Sequence, residues 1–115
     1  MKQLHSLSQK TLLAIALGSF CFAAHAEVDV DAAKALAKEN HCFTCHGVDK
    51  DKDGPAWNKI AAKFKADPKG EEKLLKHLSS GEKAKFPDGH EEAHTILKSD
   101  DPKASKNLVD WILSL

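Results

Sequence analysis

Arginine is absent from all 115 residues, so every one of the 17 basic residues is a lysine. Lysine offers a point charge and no planar fork, and the chain therefore has no bidentate clamp for phosphate or propionate. A strong charge of one sign is missing too, because 17 acidic residues balance the lysines. Lys2 and Lys10 lie in the N-terminal segment; without them 15 lysines face 17 acids, a balance of −2. That argues against nucleic acid as a partner. Signs alternate along the chain instead of forming blocks, the pattern of a solvated exterior. Methionine occurs once, at Met1, and cysteine three times, at Cys21, Cys42 and Cys45. No internal repeat, low-complexity segment or convincing strand pattern is present, and no apolar run reaches the roughly 20 residues of a comfortable membrane span.

The apolar run that does exist, Thr11 to about Ala24, follows Lys2 and Lys10 and ends in Ala24-His25-Ala26. A basic start, an apolar stretch and a small-x-small ending make a signal-peptidase site, so residues 1–26 are expected to be a cleaved signal peptide. Residues 27–115 are then one exported, periplasmic domain with no stable membrane insertion. Cys21 follows the bulky Phe20, where a lipid-anchored cysteine wants a small residue, and is not read as an anchor. A domain of this length sits near the size at which a hydrophobic core alone gives marginal stability. Something apolar and covalently held would supply the missing core.

Cys42-Phe43-Thr44-Cys45-His46 supplies the reason. In an exported chain Cys-x-x-Cys-His reads as the attachment site of a c-type haem. Two thiols two residues apart on one tight turn can reach both vinyl groups on one porphyrin edge, and the next residue carries an imidazole to the iron. Three other readings compete. Structural zinc needs four ligands, and residues 27–115 hold no second cysteine pair. A thioredoxin-like pair wants strands alternating with helices. A disulfide across the short loop is the remaining alternative.

The flanking pattern is helical. Asp29 or Asp31 can cap a first helix running to about Asn40, with Ala33, Leu36 and Ala37 on one face. After His46, Asp49-Lys50-Asp51-Lys52-Asp53-Gly54 imitates the opening of a calcium-binding loop. The imitation fails at Ile60, where the bidentate glutamate belongs, and at Trp57, so the segment reads as a solvated acidic turn. Pro55 suits the first turn of a second helix lined by Trp57, Ile60, Ala61 and Phe64. A third helix is expected from near Pro68 or Lys69, carrying Leu74, Leu75 and Leu78 inward and ending before a left-handed Gly81. From Glu82 to Asp100 periodicity is lost, a loop long enough to suggest function. Asp101 and Pro102 then start a last helix with Ala104, Leu108, Trp111, Ile112 and Leu115 on one face, for which the first helix is the natural partner.

With these residues in place, the chain resembles the class I c-type cytochromes, of the small bacterial monohaem kind. The likeness spans residues 29–115 and rests on Cys42 to Gly47, on Asp53-Gly54-Pro55-Ala56-Trp57 through Ala61-Ala62-Lys63-Phe64, and on Leu108 to Ser114. It implies an all-α cytochrome c fold, about four helices around one covalent haem c. It also implies thioethers at Cys42 and Cys45, His46 as proximal ligand, the Pro55 carbonyl accepting the other ring proton of His46, and Trp57 packed on the haem. The family's usual distal ligand is a methionine before the last helix, and this chain has none there. The sixth position is filled differently or left open.

His41 is tied to the proximal side beside Cys42 and reads as a surface residue, and His77 as a packed or half-exposed residue at the edge of a helix stripe. His90 and His94 fall in the segment where the family keeps its methionine, and would share a face if it formed a helical turn. His94 is preferred as distal metal ligand, with His90 as the alternative. The expected function is one-electron transfer with histidine on both axial positions and transient docking to redox partner proteins, aided by Lys50 and Lys52. The alternatives are a haem with an open or displaceable distal site that binds a small ligand, a cytochrome subunit of a larger oxidoreductase, or an enzyme of peroxidase type. The last needs a distal acid–base group. Glu91 and Glu92 read as surface carboxylates instead, so no catalytic residue is assigned.

Overall fold

The computed structural model describes residues 26–115. The expected signal peptide therefore lies outside the described residues, except for Ala26. Five helices and one small hairpin follow in order: α1 Val30–Glu39, α2 Cys42–Cys45, α3 Trp57–Phe64, α4 Gly70–Ser80, β1 Lys83–Lys85, β2 Glu91–Ala93 and α5 Pro102–Leu113. Among the described residues, no helix is long and apolar enough to cross a membrane.

Helix α1 starts where Asp29 accepts from the Ala32 N–H at 2.9 Å, with Asp31 in its first turn and Lys38 in its last to complement the dipole. Helix α5 starts the same way, its Asp101 accepting from Lys103 N–H at 2.9 Å and Pro102 holding the first position. The two pack together as expected. Ala33 and Ala37, both fully buried, let α1 approach the Leu108, Trp111 and Ile112 face of α5 closely. Asn107 of α5 clasps the chain entry: its side-chain oxygen accepts from Asp29 N–H at 2.8 Å and its amide donates to Asp29 C=O at 2.7 Å. Val109, outside the expected stripe, is fully buried as well, because α5 has neighbours on more than one side and also packs against α3 and α4.

Four local expectations change. The Cys42–Cys45 turn is itself a short helix, entered through His41 in the left-handed conformation (φ 57°), which makes five helices and not four. Pro55 does not open α3; Ala56 is its N-cap and Pro55 precedes it. Asp51 does not simply sit in solvent: its carboxylate accepts from Ala56 N–H at 2.8 Å and pairs with Lys59. Leu74, Leu75 and Leu78 are only half-buried, since α4 turns Leu74 and Leu78 toward a cavity. Gly81 closes α4 at φ 62°, the left-handed cap its identity allows.

The long Glu82–Asp100 segment holds the two strands that no pattern announced. They pair antiparallel with Lys83 opposite Ala93, Ala84 opposite Glu92 and Lys85 opposite Glu91. Lys-Ala-Lys and Glu-Glu-Ala are poor strand formers, and each strand is three residues long, so alternation had nothing to show. The opposed Lys85 and Glu91 charges favour the pairing.

One buried polar residue ties this segment to α1. Asn40, 7% exposed, accepts from Lys98 N–H at 2.8 Å and donates to Leu36 C=O at 2.9 Å. Removing its amide leaves the Lys98 N–H without a partner in a part-buried setting, while Leu36 C=O keeps the Asn40 backbone N–H, a cost of about 1–3 kcal/mol. Asn40→Ala is expected to lose that much in urea unfolding, whereas Asn107→Ala, at an exposed clasp, loses under about 1 kcal/mol. Equal losses would mean Asn40 is not the tie.

Candidate haem site

The proximal side is built locally. His46 N–H donates to Cys42 C=O at 2.9 Å, and Gly54 N–H returns to Cys45 C=O at 2.8 Å, which folds residues 47–53 into a closed loop. That loop then caps α3: Trp57 N–H reaches Gly47 C=O at 2.9 Å and Asn58 N–H reaches Val48 C=O at 3.0 Å. Ordinary N-cap side chains are unnecessary here because loop carbonyls and Asp51 meet the first N–H groups of the helix. Lys59 beside it, with the Ala56 N–H, holds the Asp51 carboxyl below its ordinary value. Among the described residues there is no group of three or more His, Cys, Asp or Glu that could hold a metal ion.

The outcome is an oriented imidazole. His46 Nδ1 lies 2.7 Å from Pro55 C=O. A carbonyl can only accept, so Nδ1 carries the proton and Nε2 keeps its lone pair. The Trp57 ring, 3% exposed, lies nearly parallel to His46 at 5.9 Å between centroids, and meets Phe43 at 4.9 Å and Trp111 at 5.1 Å edge-on. Trp57 thus joins the Cys42–Cys45 turn, α3 and α5. Cys42 and Cys45 are both half-buried and both line the cavity described below. Burial pushes the Cys42 thiol up from its ordinary pKa.

The distal side is built from remote pieces. His94 follows β2, its N–H donating to Glu82 C=O at 3.0 Å, and Leu97 N–H donates to Leu78 C=O at 2.8 Å. Its Nδ1 donates to Thr95 C=O at 2.9 Å, again leaving Nε2 with a lone pair. Burial first, and the neighbouring His77 second, lower its pKa, so the ring is neutral at neutral pH and able to ligate.

His46 and His94 both line a cavity of about 840 Å³, with apolar walls from Ile60, Phe64, Leu74, Leu78 and Val109. Their ring centroids are 6.1 Å apart, with planes inclined at 50°. Two imidazoles on opposite sides of one metal, each nitrogen about 2 Å from it and about 1 Å from its own ring centre, stand about 6 Å apart. The donor set, the cavity size and the two thiols on one wall therefore fit one haem c. Lys63, Lys76 and Lys85 line the same cavity, as do Lys59 and Lys73, which pair with Asp51 and Asp67.

His90 is elsewhere. It sits exposed at the hairpin tip, beside Asp88, with Nε2 3.2 Å from Glu92 and its ring stacked on Phe86 at 4.4 Å. The segment between the two histidines is strand and not helical turn, and four extended residues span about 13 Å, so His90 and His94 do not converge. His41 is exposed, as expected, and His77 lies against His94 with ring centroids 4.3 Å apart. Lys50 and Lys52 are both exposed, and the Lys52 ammonium donates to Phe43 C=O. Asn40 and Gly54 were not foreseen as site residues; an asparagine at a helix end and a Gly-Pro after the loop are the only signals either leaves in the sequence.

Gly54 admits no side chain. A methyl group there would stand 2.7 Å from His46 Cε1 and 3.0 Å from Nδ1, so His46 would have to leave Pro55. Gly54→Ala is expected to cost about 1–3 kcal/mol in unfolding and to speed exchange of the His46 ring N–H, seen by NMR. A variant with unchanged exchange would show that the close approach does not orient the ring.

Comparison with known proteins agrees with this geometry. The cytochrome c family profile matches residues 30–115. The crystal structure of the class 1 cytochrome MtoD from Sideroxydans lithotrophicus ES-1 is 63% identical, with a TM-score of 0.73 over 76% of this chain and 97% of that one. Wild-type Nitrosomonas europaea cytochrome c552 is 29% identical, with a TM-score of 0.58 over 71% of this chain and 98% of its own. Cytochrome c-551 of Pseudomonas denitrificans is 30% identical over 80 residues, 70% of this chain and 93% of that protein. The chain belongs to the cytochrome c family, with the covalently attached haem c and the electron-transfer role that go with it.

Proposed function

We propose that this protein is a periplasmic one-electron carrier whose haem c is held by thioethers at Cys42 and Cys45 and ligated by His46 and His94. The observation that carries the reading is the pair of imidazoles 6.1 Å apart across one cavity, each with Nδ1 committed to a carbonyl. Haem c supplies an iron that gains and loses one electron. The chain's part is to present Nε2 of each histidine, keep water from the cavity with Trp57 and the apolar walls, and leave the Cys42–Cys45 edge near the surface for partners. A histidine pair sets a lower potential than histidine with methionine, because methionine raises it. Residues 1–26 direct export and are removed, and redox proteins dock transiently.

Two measurements test this. Intact mass of the exported protein is expected to begin at Glu27 and include one haem that acidified solvent does not extract. A mass lacking haem overturns the covalent assignment. His94→Ala is expected to convert a low-spin spectrum to high-spin and let the reduced protein bind carbon monoxide rapidly, while His90→Ala leaves both unchanged. Rapid carbon monoxide binding by the unmodified protein would favour a ligand-binding haem instead.

A further inference from the structure

His94 is anchored at its backbone but weakly constrained at its ring. Its N–H bonds to Glu82, yet the one hydrogen bond of its imidazole goes to Thr95, the next residue along, which fixes the ring only relative to its own loop. The terminal torsion of a histidine is broad, so such a ring turns easily unless something packs on it. His77 packs on it. The two rings lie 4.3 Å apart and inclined at 46°.

His77 is itself held. It stands on α4 next to Leu78, whose carbonyl takes the Leu97 N–H and so locks α4 to the distal segment. Its Nδ1 lies 3.6 Å from a Glu82 carboxylate oxygen, and the Ser80 hydroxyl lies 3.2 Å from the same oxygen. Glu82 thereby touches both histidines, His77 through its side chain and His94 through its carbonyl. The three form one unit at the junction of α4 and β1, and His77 lines the same cavity as His94.

We infer that His77 is the positioning residue of the distal histidine: by packing on the His94 ring it sets the angle between the His94 and His46 planes, which is 50° here. The inference rests on His94 being the distal ligand. The consequence is electronic. Each imidazole plane directs its π interaction with one iron d orbital, so the angle between two planes sets how far the d levels split. That splitting sets the largest g value of the low-spin ferric signal and contributes to the potential.

The test uses the haem-loaded full protein and its ferric electron paramagnetic resonance spectrum, with the midpoint potential and thermal unfolding recorded alongside. His77→Ala is expected to remain low-spin but to shift and broaden the largest g value and to shift the potential. His77→Phe, which keeps a flat ring without charge or polar atoms, is expected to restore the wild-type line. A His77→Ala signal that superimposes on the wild type, whatever its stability, overturns the inference. So does a shift that His77→Phe fails to reverse, which would assign the effect to polarity and not packing. His94→Ala measured in parallel separates the two readings, because a low-spin signal that survives it overturns His94 as ligand.

Discussion

The constraint on which the rest depends is the division of the apolar side chains between a helix core and a shared cavity. Of the nine buried apolar residues among those described, Ala33, Ala37, Ala56 and Ala61 are alanines, and the largest fully buried side chains are Leu108 and Val109. The residues that would make a core elsewhere, Ile60, Phe64, Leu74 and Leu78, point into a shared cavity and are only half-buried. Alanines serve the helix contacts, where close approach matters. Other large residues line the cavity, where the covalently attached haem c of the family would pack against them. In a small domain, such a partner is worth more than any single hydrogen bond, because each fully buried large side chain contributes about 1.5–3 kcal/mol.

The two cavity histidines, His46 and His94, are held by different kinds of structure. His46 depends on contacts within residues 42–57: the short helix, the loop closed by Gly54, the Pro55 carbonyl and the stacked Trp57. His94 depends on contacts made across long separations, from Asn40 to Lys98, from Leu78 to Leu97 and from Glu82 to His94. Loop closure for the second set costs chain entropy that the first set largely avoids. The proximal contacts are therefore mostly local in sequence, and the distal ones join segments of α1 and α4 to the chain before α5.

This difference also explains what could be read in advance. Local signals were legible: the Asp29 and Asp101 caps, the left-handed Gly81, the α1–α5 pairing implied by two apolar stripes, and the Cys42–His46 motif. Long-range ones were not. The hairpin is made of lysine, glutamate and alanine, whose pairing comes from chain geometry and charge. Asn40 looks like any polar residue at a helix end until its partner, 58 positions away, is known. Spacing alone put His90 and His94 on one face, and only the strand between them separates the residue in the cavity from the one at the tip.

An absence noticed first in the composition has its physical counterpart in the finished site. Without arginine, the cavity is edged by lysines, whose compact charges offer no planar fork. Orientation must then come from elsewhere. It comes from rings and carbonyls: Trp57 and Pro55 on one side, His77 and Thr95 on the other. They bring the two imidazoles to 6.1 Å and 50° by ring packing and by hydrogen bonds to backbone carbonyls, directional contacts that a lysine's point charge does not supply.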